Sequence, residues 1–253
     1  MLARELIALH ESPREVPLFS ERYPGLTPQA GYEAAQRLHE HRLANGWRPV
    51  GRKIGFTNRT IWPRYGVYEP IWGTVYDRTL IRSHANRATV NLSGLVNPRI
   101  EPEVCFGLRA APDRANLLDC IEWVAHSVEI VQCHHAGWKL TLADSTADNG
   151  LHGRLVVGTP IAPPADMAQR LPQLAVELFK SGELKDRGVG ANVLDSPLLA
   201  LGHLVNLLKE RPLAAGEIVT TGVITDAHPV KPGETWSTRL TGLPLAGLSI
   251  EFE

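Results

Sequence analysis

Apolar and polar positions follow two different periods along this chain. After Thr27-Pro28, an N-cap followed by proline in the first turn, Tyr32, Ala35, Leu38 and His39 recur at helical spacing until Asn45-Gly46. The spacing predicts a helix here and a helical region over residues 1–50. Beyond Pro49 come short segments rich in β-branched and aromatic residues, GRKIGF, PIWGTVY, RTLI and ATVNLSG, separated by turn formers, and these predict strands. Residues 116–125 (NLLDCIEWVA) set Leu117, Cys120, Ile121 and Val124 at helical spacing and predict a second helix, with SVEIVQ as a buried strand after it. Asp195-Ser196-Pro197 opens a third, with Leu201, Leu204, Val205 and Leu208 on one face. Leu174, Val176 and Leu178 alternate before a Ser181-Gly182 turn, and EIVTTGVIT, TWSTRL and LAGLSIEFE add further strands. Such elements predict an α+β fold on a rolled or sandwiched sheet rather than a doubly wound one.

One predicted strand breaks the apolar pattern. In RIEPEVCF, Glu101 and Glu103 share a face while Ile100, Pro102 and Val104 take the other. Spacing alone leaves two readings open, a solvated strand face or a divalent cation held by carboxylates. Glu129 bears on the choice, because it sits inside SVEIVQ, where a lone buried carboxylate would be costly. Three carboxylates sharing a cation would offer a hard oxygen site suited to Mg2+ or Mn2+, open to water and substrate. His134 and His135 are adjacent in an extended segment and point in opposite directions, so they are not expected at one metal.

Composition narrows the classes. The 253 residues, 43% hydrophobic, suffice for one large domain or two small ones. A formal charge of −1 with interspersed signs gives no footprint for nucleic acid and no polybasic membrane patch. Cys105, Cys120 and Cys133 lack metal or disulfide spacing and are expected reduced and packed. Arg4, Glu5 and Glu11 interrupt the N-terminus, so a cytoplasmic protein is expected. There is no GxGxxG or GxxxxGK[ST] stretch to cradle phosphates.

Five motifs in register then carry a resemblance: GRKIGFT (51–57), RIEPEVCF (99–106), SVEIVQ (127–132), ADSTADNG (143–150) and GEIVTTG (216–222). With the closing VKPGETW (230–236), they resemble the fumarylacetoacetate hydrolase superfamily, in its 2-keto-4-pentenoate hydratase and 4-oxalocrotonate decarboxylase branch. The resemblance implies a mixed β roll with flanking helices over residues 51–253, behind the helical region 1–50. It implies homo-oligomers, possible association with a partner lyase, and a small 2-oxo acid or 2-hydroxy-dienoate substrate chelated by Mg2+ or Mn2+. The ligands it implies are Glu101, Glu103 and Glu129, with Lys53 as proton shuttle, its ammonium pKa expected to fall beside the cation. Gly55, Asp148, Asn149 and Thr221 lie within these motifs and are expected at the site, Asp148 among the catalytic groups. Arg52 reads as an ion-pair partner or as a group recognising the substrate carboxylate.

Two departures bear on the reaction. Serines that usually follow the Asp-Asn pair are replaced by Gly150-Leu151-His152-Gly153, so His152 becomes either an acid/base toward substrate or a structural histidine. In Glu69-Pro70-Ile71-Trp72-Gly73, Ile71 stands where hydratases of this branch carry an acid, and Glu69 would compensate only if the loop were shifted. Trp62, Tyr65, Tyr68 and Trp72 read as a wall for an unsaturated tail or as core. The resemblance implies hydration of a 2-hydroxy-2,4-dienoate. The alternatives are decarboxylation of a 2-oxo diacid, acylpyruvate hydrolysis with His152 activating water, and a non-catalytic subunit of a lyase complex.

Overall fold

Three N-terminal helices, α1 (Leu2–Glu11), α2 (Phe19–Arg22) and α3 (Pro28–Ala44), pack through Leu2, Leu6, Leu9, Phe19 and Ala34 in the computed structural model. The structure describes residues 1–208 and 210–253, apart from the side chains of Arg64 and Tyr65. Thr27 caps α3 by accepting from Ala30 N at 3.2 Å, with Pro28 in the first turn. The buried stripe of α3 is Gly31, Ala34, Leu38 and Arg42, rotated from the predicted one. Tyr32 and His39 instead face the sheet edge, stacking on Trp72 and hydrogen-bonding the Tyr76 hydroxyl.

The chain then forms β1 (Pro49–Gly55), α4 (Trp62–Tyr65), β2 (Ile71–Tyr76), β3 (Leu80–Arg82), β4 (Arg87–Val90), β5 (Arg99–Leu108) and β6 (Ile121–Val131). Next come α5 (Leu142–Ala147), β7 (His152–Val157), α6 (Met167–Arg170), β8 (Ala175–Lys180), β9 (Glu183–Val189) and α7 (Pro197–Leu207). The last strands are β10 (Ile218–Thr220), β11 (His228–Pro229), β12 (Thr235–Thr241) and β13 (Ser249–Phe252). An eight-stranded sheet runs β2-β1-β10-β5-β6-β7-β3, with β11 also on β5, and a five-stranded sheet runs β4-β13-β12-β8-β9. Parallel pairs β1/β10, β3/β7 and β4/β13 among antiparallel neighbours make both sheets mixed, and the fold is α+β as expected.

The predicted helix over residues 116–125 is a correction. Residues 116–120 turn, and from Ile121 the chain enters β6, paired with β5 along its whole length. A strand buried on both faces shows a near-continuous apolar run, which spacing cannot tell from a helix; long pairing to β5 decides it.

Alternation along β5 sorts the side chains. Val104 and Phe106 join Ile54, Val124, Val219 and the α7 residues Leu201 and Leu204 in one core. Ile100, Val128, Ile130 and Val156 pack against Leu178, Trp236, Ile250 and Phe252 of the smaller sheet. Removing a side chain such as Phe106 from this layer would cost roughly 3–5 kcal/mol. With the even positions committed to the core, Glu101 and Glu103 are carried on the opposite face. Among the described residues, no helix is long and apolar enough to cross a membrane.

Candidate metal centre and active-site cleft

Register brings the three carboxylates together. Glu101 of β5 is directly opposite Glu129 of β6, and Glu103 is opposite Ser127, so all three acids share one face. One oxygen from each lies within 4.8 Å of the others. Lys53 reaches the same face from β1, where it pairs with Thr220 of β10, the strand next to β5. Its Nζ is 3.2 Å from Glu129 Oε2 and donates to the Gly150 carbonyl at 2.9 Å. Gly73, opposite Lys53 on β2, leaves room for the Asn149 carbonyl, which would stand 2.2 Å from any Cβ there. Only glycine allows the turn bearing Gly150 to come so close.

Glu103 and Glu129 are fully buried and Lys53 is 3% exposed. Glu103 Oε2 accepts from the Thr220 hydroxyl and from Gly222 N, the latter at 2.9 Å. Glu103 Oε1 is buried without a hydrogen-bond partner, and Glu129 Oε2 has only the Lys53 ammonium beside it. Burial pushes the Glu101 carboxyl up to about 7 against the pull of Lys53, with Glu129 adding to the rise. Burial, then the charges of Glu129 and Glu101, drive Glu103 well above the usual carboxylate range. Burial also opposes ionisation of Glu129, but Lys53 and His152 outweigh it and hold that carboxyl low. Lys53 is the mirror case: burial works against its charge, and the three carboxylates overcome it and raise the ammonium above its ordinary value. The expected fall is thus reversed in the protein alone, where no added positive charge offsets the acids.

Lys53, Glu101 and Gly150 line a cleft of about 40 Å3. Lys53, Glu101 and Asp226 are its charged lining, and Gly55 lies there as expected. Its walls are Phe56, Ile61, Ile71, Trp138, Leu140 and Val223. Sequence reasoning missed Asp226, whose only signal was an acid at the end of the apolar EIVTTGVIT run. Its loop is held by Asp186, which accepts from Asp226 N at 2.9 Å and from His228 Nε2 at 2.8 Å.

Several residues expected at the substrate do not line this cleft, and each has a partner or setting that accounts for it. Asp148 is clamped between His10 Nε2 at 2.8 Å and His134 Nδ1 at 2.7 Å. Burial opposes its charge, but His134 and His10 hold its carboxyl well below the usual range, so it braces the α5–β7 turn rather than facing substrate. His134 therefore has a carboxylate partner but lies away from the three glutamates. His152 is buried, with Nδ1 meeting Glu129 Oε1 and Nε2 meeting Thr79 Oγ1, both at 2.8 Å, the setting of the structural histidine that was one of its two readings. Arg52 is an ion-pair partner, 2.9 Å from Glu217. Asn149 bridges Thr74 N and O, and the Thr221 hydroxyl donates to Val104 O. Glu69 is exposed. Trp72 stacks on Tyr32, Trp62 Nε1 donates to Phe56 O, and Tyr68 is 68% exposed. The side chain of Tyr65 lies outside the described residues; none of the other three lines the cleft, and Trp62 and Trp72 pack against the core, the second of the two readings.

Comparison with known proteins agrees with this architecture. A 4-oxalocrotonate decarboxylase of Pseudomonas sp. (strain CF600) is 31% identical over 236 residues, covering 90% of this chain and 88% of its own. This chain belongs to the 2-keto-4-pentenoate hydratase and 4-oxalocrotonate decarboxylase family. A hydratase of that family, the 2-keto-4-pentenoate hydratase of Paraburkholderia xenovorans (strain LB400), is 29% identical over 259 residues, covering 99% and 93%. The structure of a family decarboxylase from Pseudomonas putida G7, complexed with magnesium and adipate, matches with a TM-score of 0.90 at 27% identity over 100% of this chain and 96% of that one. A fumarylpyruvate hydrolase from Pseudomonas aeruginosa, in complex with Mn2+ and pyruvate, shares the fold at a TM-score of 0.60 and 15% identity, over 79% and 88%. The chain is an enzyme of the hydratase and decarboxylase group. No family model matches the chain.

Proposed function

We propose that this chain is a divalent-metal-dependent lyase of short 2-oxo acids, and that it hydrates a 2-hydroxy-2,4-dienoate to a 4-hydroxy-2-oxo acid. The observation that carries the proposal is the meeting of three carboxylates with Lys53, two of these four residues, Glu101 and Lys53, lining an apolar cleft. The buried Glu103 Oε1, which has no hydrogen-bond partner, and Glu129 Oε2, met only by the Lys53 ammonium, fit a cation, and an all-oxygen donor set suits Mg2+ or Mn2+. Glu101, Glu103 and Glu129 would hold the ion, which when bound supplies Lewis-acid stabilisation of the enolate of a 2-oxo acid.

The chain's own groups do the rest. Lys53 Nζ, fixed by Gly150 O and Glu129, carries a proton between the 2-hydroxyl and the terminal carbon of the dienoate. That transfer leaves a 2-oxo-3-enoate, whose C4 accepts water. Phe56, Ile61, Ile71 and Trp138 shed bulk water from the hydrocarbon part and orient it. Hydrolytic cleavage with His152 activating water loses its support, because both ring nitrogens are committed behind Glu129.

One observation favours decarboxylation as a second reading. Ile71, at the position where the resemblance would set an acid, lines the cleft, and an apolar wall there favours loss of a carboxylate as CO2 over activation of water. A panel of 2-oxo acids and dienols, incubated with the protein and Mg2+ or Mn2+, separates the two. Hydration gives loss of dienol absorbance and a product heavier by one water, whereas decarboxylation gives CO2. No turnover of any 2-oxo acid with either metal would overturn both readings.

A further inference from the structure

His152 stands on the metal-facing side of the sheet because of a bulge. Along β6 and β7, Glu129 pairs with Leu155 and Ile130 with Arg154, but Val131 then pairs with His152, passing over Gly153. In an unbroken ladder Gly153 would oppose Val131 and His152 would turn to the other face. A Cβ on Gly153 would stand 2.5 Å from the Ile130 carbonyl oxygen, so the bulge requires glycine. The extra residue therefore places an imidazole behind Glu129, from the Gly150-Leu151-His152-Gly153 stretch where the resemblance led one to expect serine.

We propose that His152 is a positioning residue that fixes the Glu129 carboxylate as a metal ligand, with Thr79 in turn fixing the imidazole. The proposal rests on the reading of Glu129 as a ligand. Glu129 Oε1 lies 2.8 Å from His152 Nδ1, and a carboxylate can only accept, so Nδ1 carries the hydrogen. Oε2, which has only the Lys53 ammonium beside it, is left toward the other acids. The Thr79 hydroxyl, 2.8 Å from Nε2, holds the ring plane, and Thr79 is itself buried just before β3, which pairs with β7. Without this contact the glutamate would be free to turn about its side-chain torsions, and the ion would lose a preformed ligand.

The test measures Mn2+ affinity of the full-length protein by calorimetry, with no substrate present. His152→Leu is expected to bind Mn2+ about 10- to 100-fold more weakly, while His152→Asn, whose amide places a donor near the Nδ1 position, stays within about threefold of wild type. If His152→Leu folds and binds Mn2+ as wild type does, or if His152→Asn is as weak as His152→Leu, the positioning role is overturned and Glu129 can still be a ligand. Absence of Mn2+ binding by wild type would overturn the ligand reading and this proposal with it. Should His152→Leu fail to fold, Thr79→Val carries the test: a several-fold loss of affinity supports the proposal, and an unchanged affinity overturns it.

Discussion

Glu101 and Glu129 are cross-strand partners in the ladder between β5 and β6, two carboxylates placed side by side in the sheet. Like charges directly opposite destabilise a sheet, and here the strain is expressed in Glu101, whose carboxyl burial raises to about 7. A group raised in this way stabilises the fold fully below its unfolded value, about 4.3, and that contribution is lost as pH rises through about 7. A bound cation takes the place of the proton, so its stabilising effect is greatest where the proton has left. The rise in Tm produced by Mg2+ should therefore grow between about pH 5 and pH 8. Thermal unfolding across that range, with and without Mg2+, checks this; a rise independent of pH would contradict it.

Glu103→Gln should remove the metal-dependent part of stability. Ligand bound to the native state at about 100-fold above Kd adds about 2.7 kcal/mol, so the loss is readable as a vanished Mg2+ shift in Tm. A shift equal to that of wild type would return Glu101 and Glu103 to the reading of a simple acidic strand face.

Lys53→Met should separate chemistry from metal binding. Losing the proton carrier is expected to lower kcat by about 10^2 to 10^4, with KM changed only a few-fold. Mn2+ affinity should hold or rise, because a cation that competes for the carboxylates has gone. A variant whose kcat falls only in step with its Mn2+ affinity, and recovers at saturating metal, would assign Lys53 to the site's assembly instead.

Asp148→Ala should cost stability rather than chemistry. It removes the carboxylate that pairs with His134, whose imidazolium it favours, and that hydrogen-bonds His10, leaving His134 buried without its partner, a change worth roughly 3–5 kcal/mol. Because the Asp148 carboxyl is held low, its contribution is present above about pH 4 and fades as pH falls through the folded value. Urea unfolding at pH 7 and under acid measures both effects, and a loss below about 1 kcal/mol would contradict the clamp.

The acidic pair itself was legible because a strand's period of two puts Glu101 and Glu103 on one face wherever that strand lies. The apolar neighbours of Glu129 likewise announced its burial. Helical spacing over residues 116–125 misleads because Ile121 and Val124 are buried through pairing with β5, which the local pattern does not contain. Asp148 and His152 share the same lesson. Their partners, His10, His134 and Glu129, are brought by α1, the end of β6 and a bulge at Gly153, none of which has a local signal. Spacing leaves the aromatic cluster near Trp62 open between wall and core, and tertiary packing draws the cleft walls instead from Phe56, Trp138, Leu140 and Val223.

The central claim is that the three glutamates hold a divalent cation on which turnover depends. Its most direct measurement follows the dienol absorbance of 2-hydroxypenta-2,4-dienoate after adding protein stripped with EDTA. The account predicts no enzymatic decay until Mg2+ or Mn2+ is restored, and none with Glu103→Gln at the same metal concentration. Equal decay by the stripped protein, or full activity of Glu103→Gln, would contradict it.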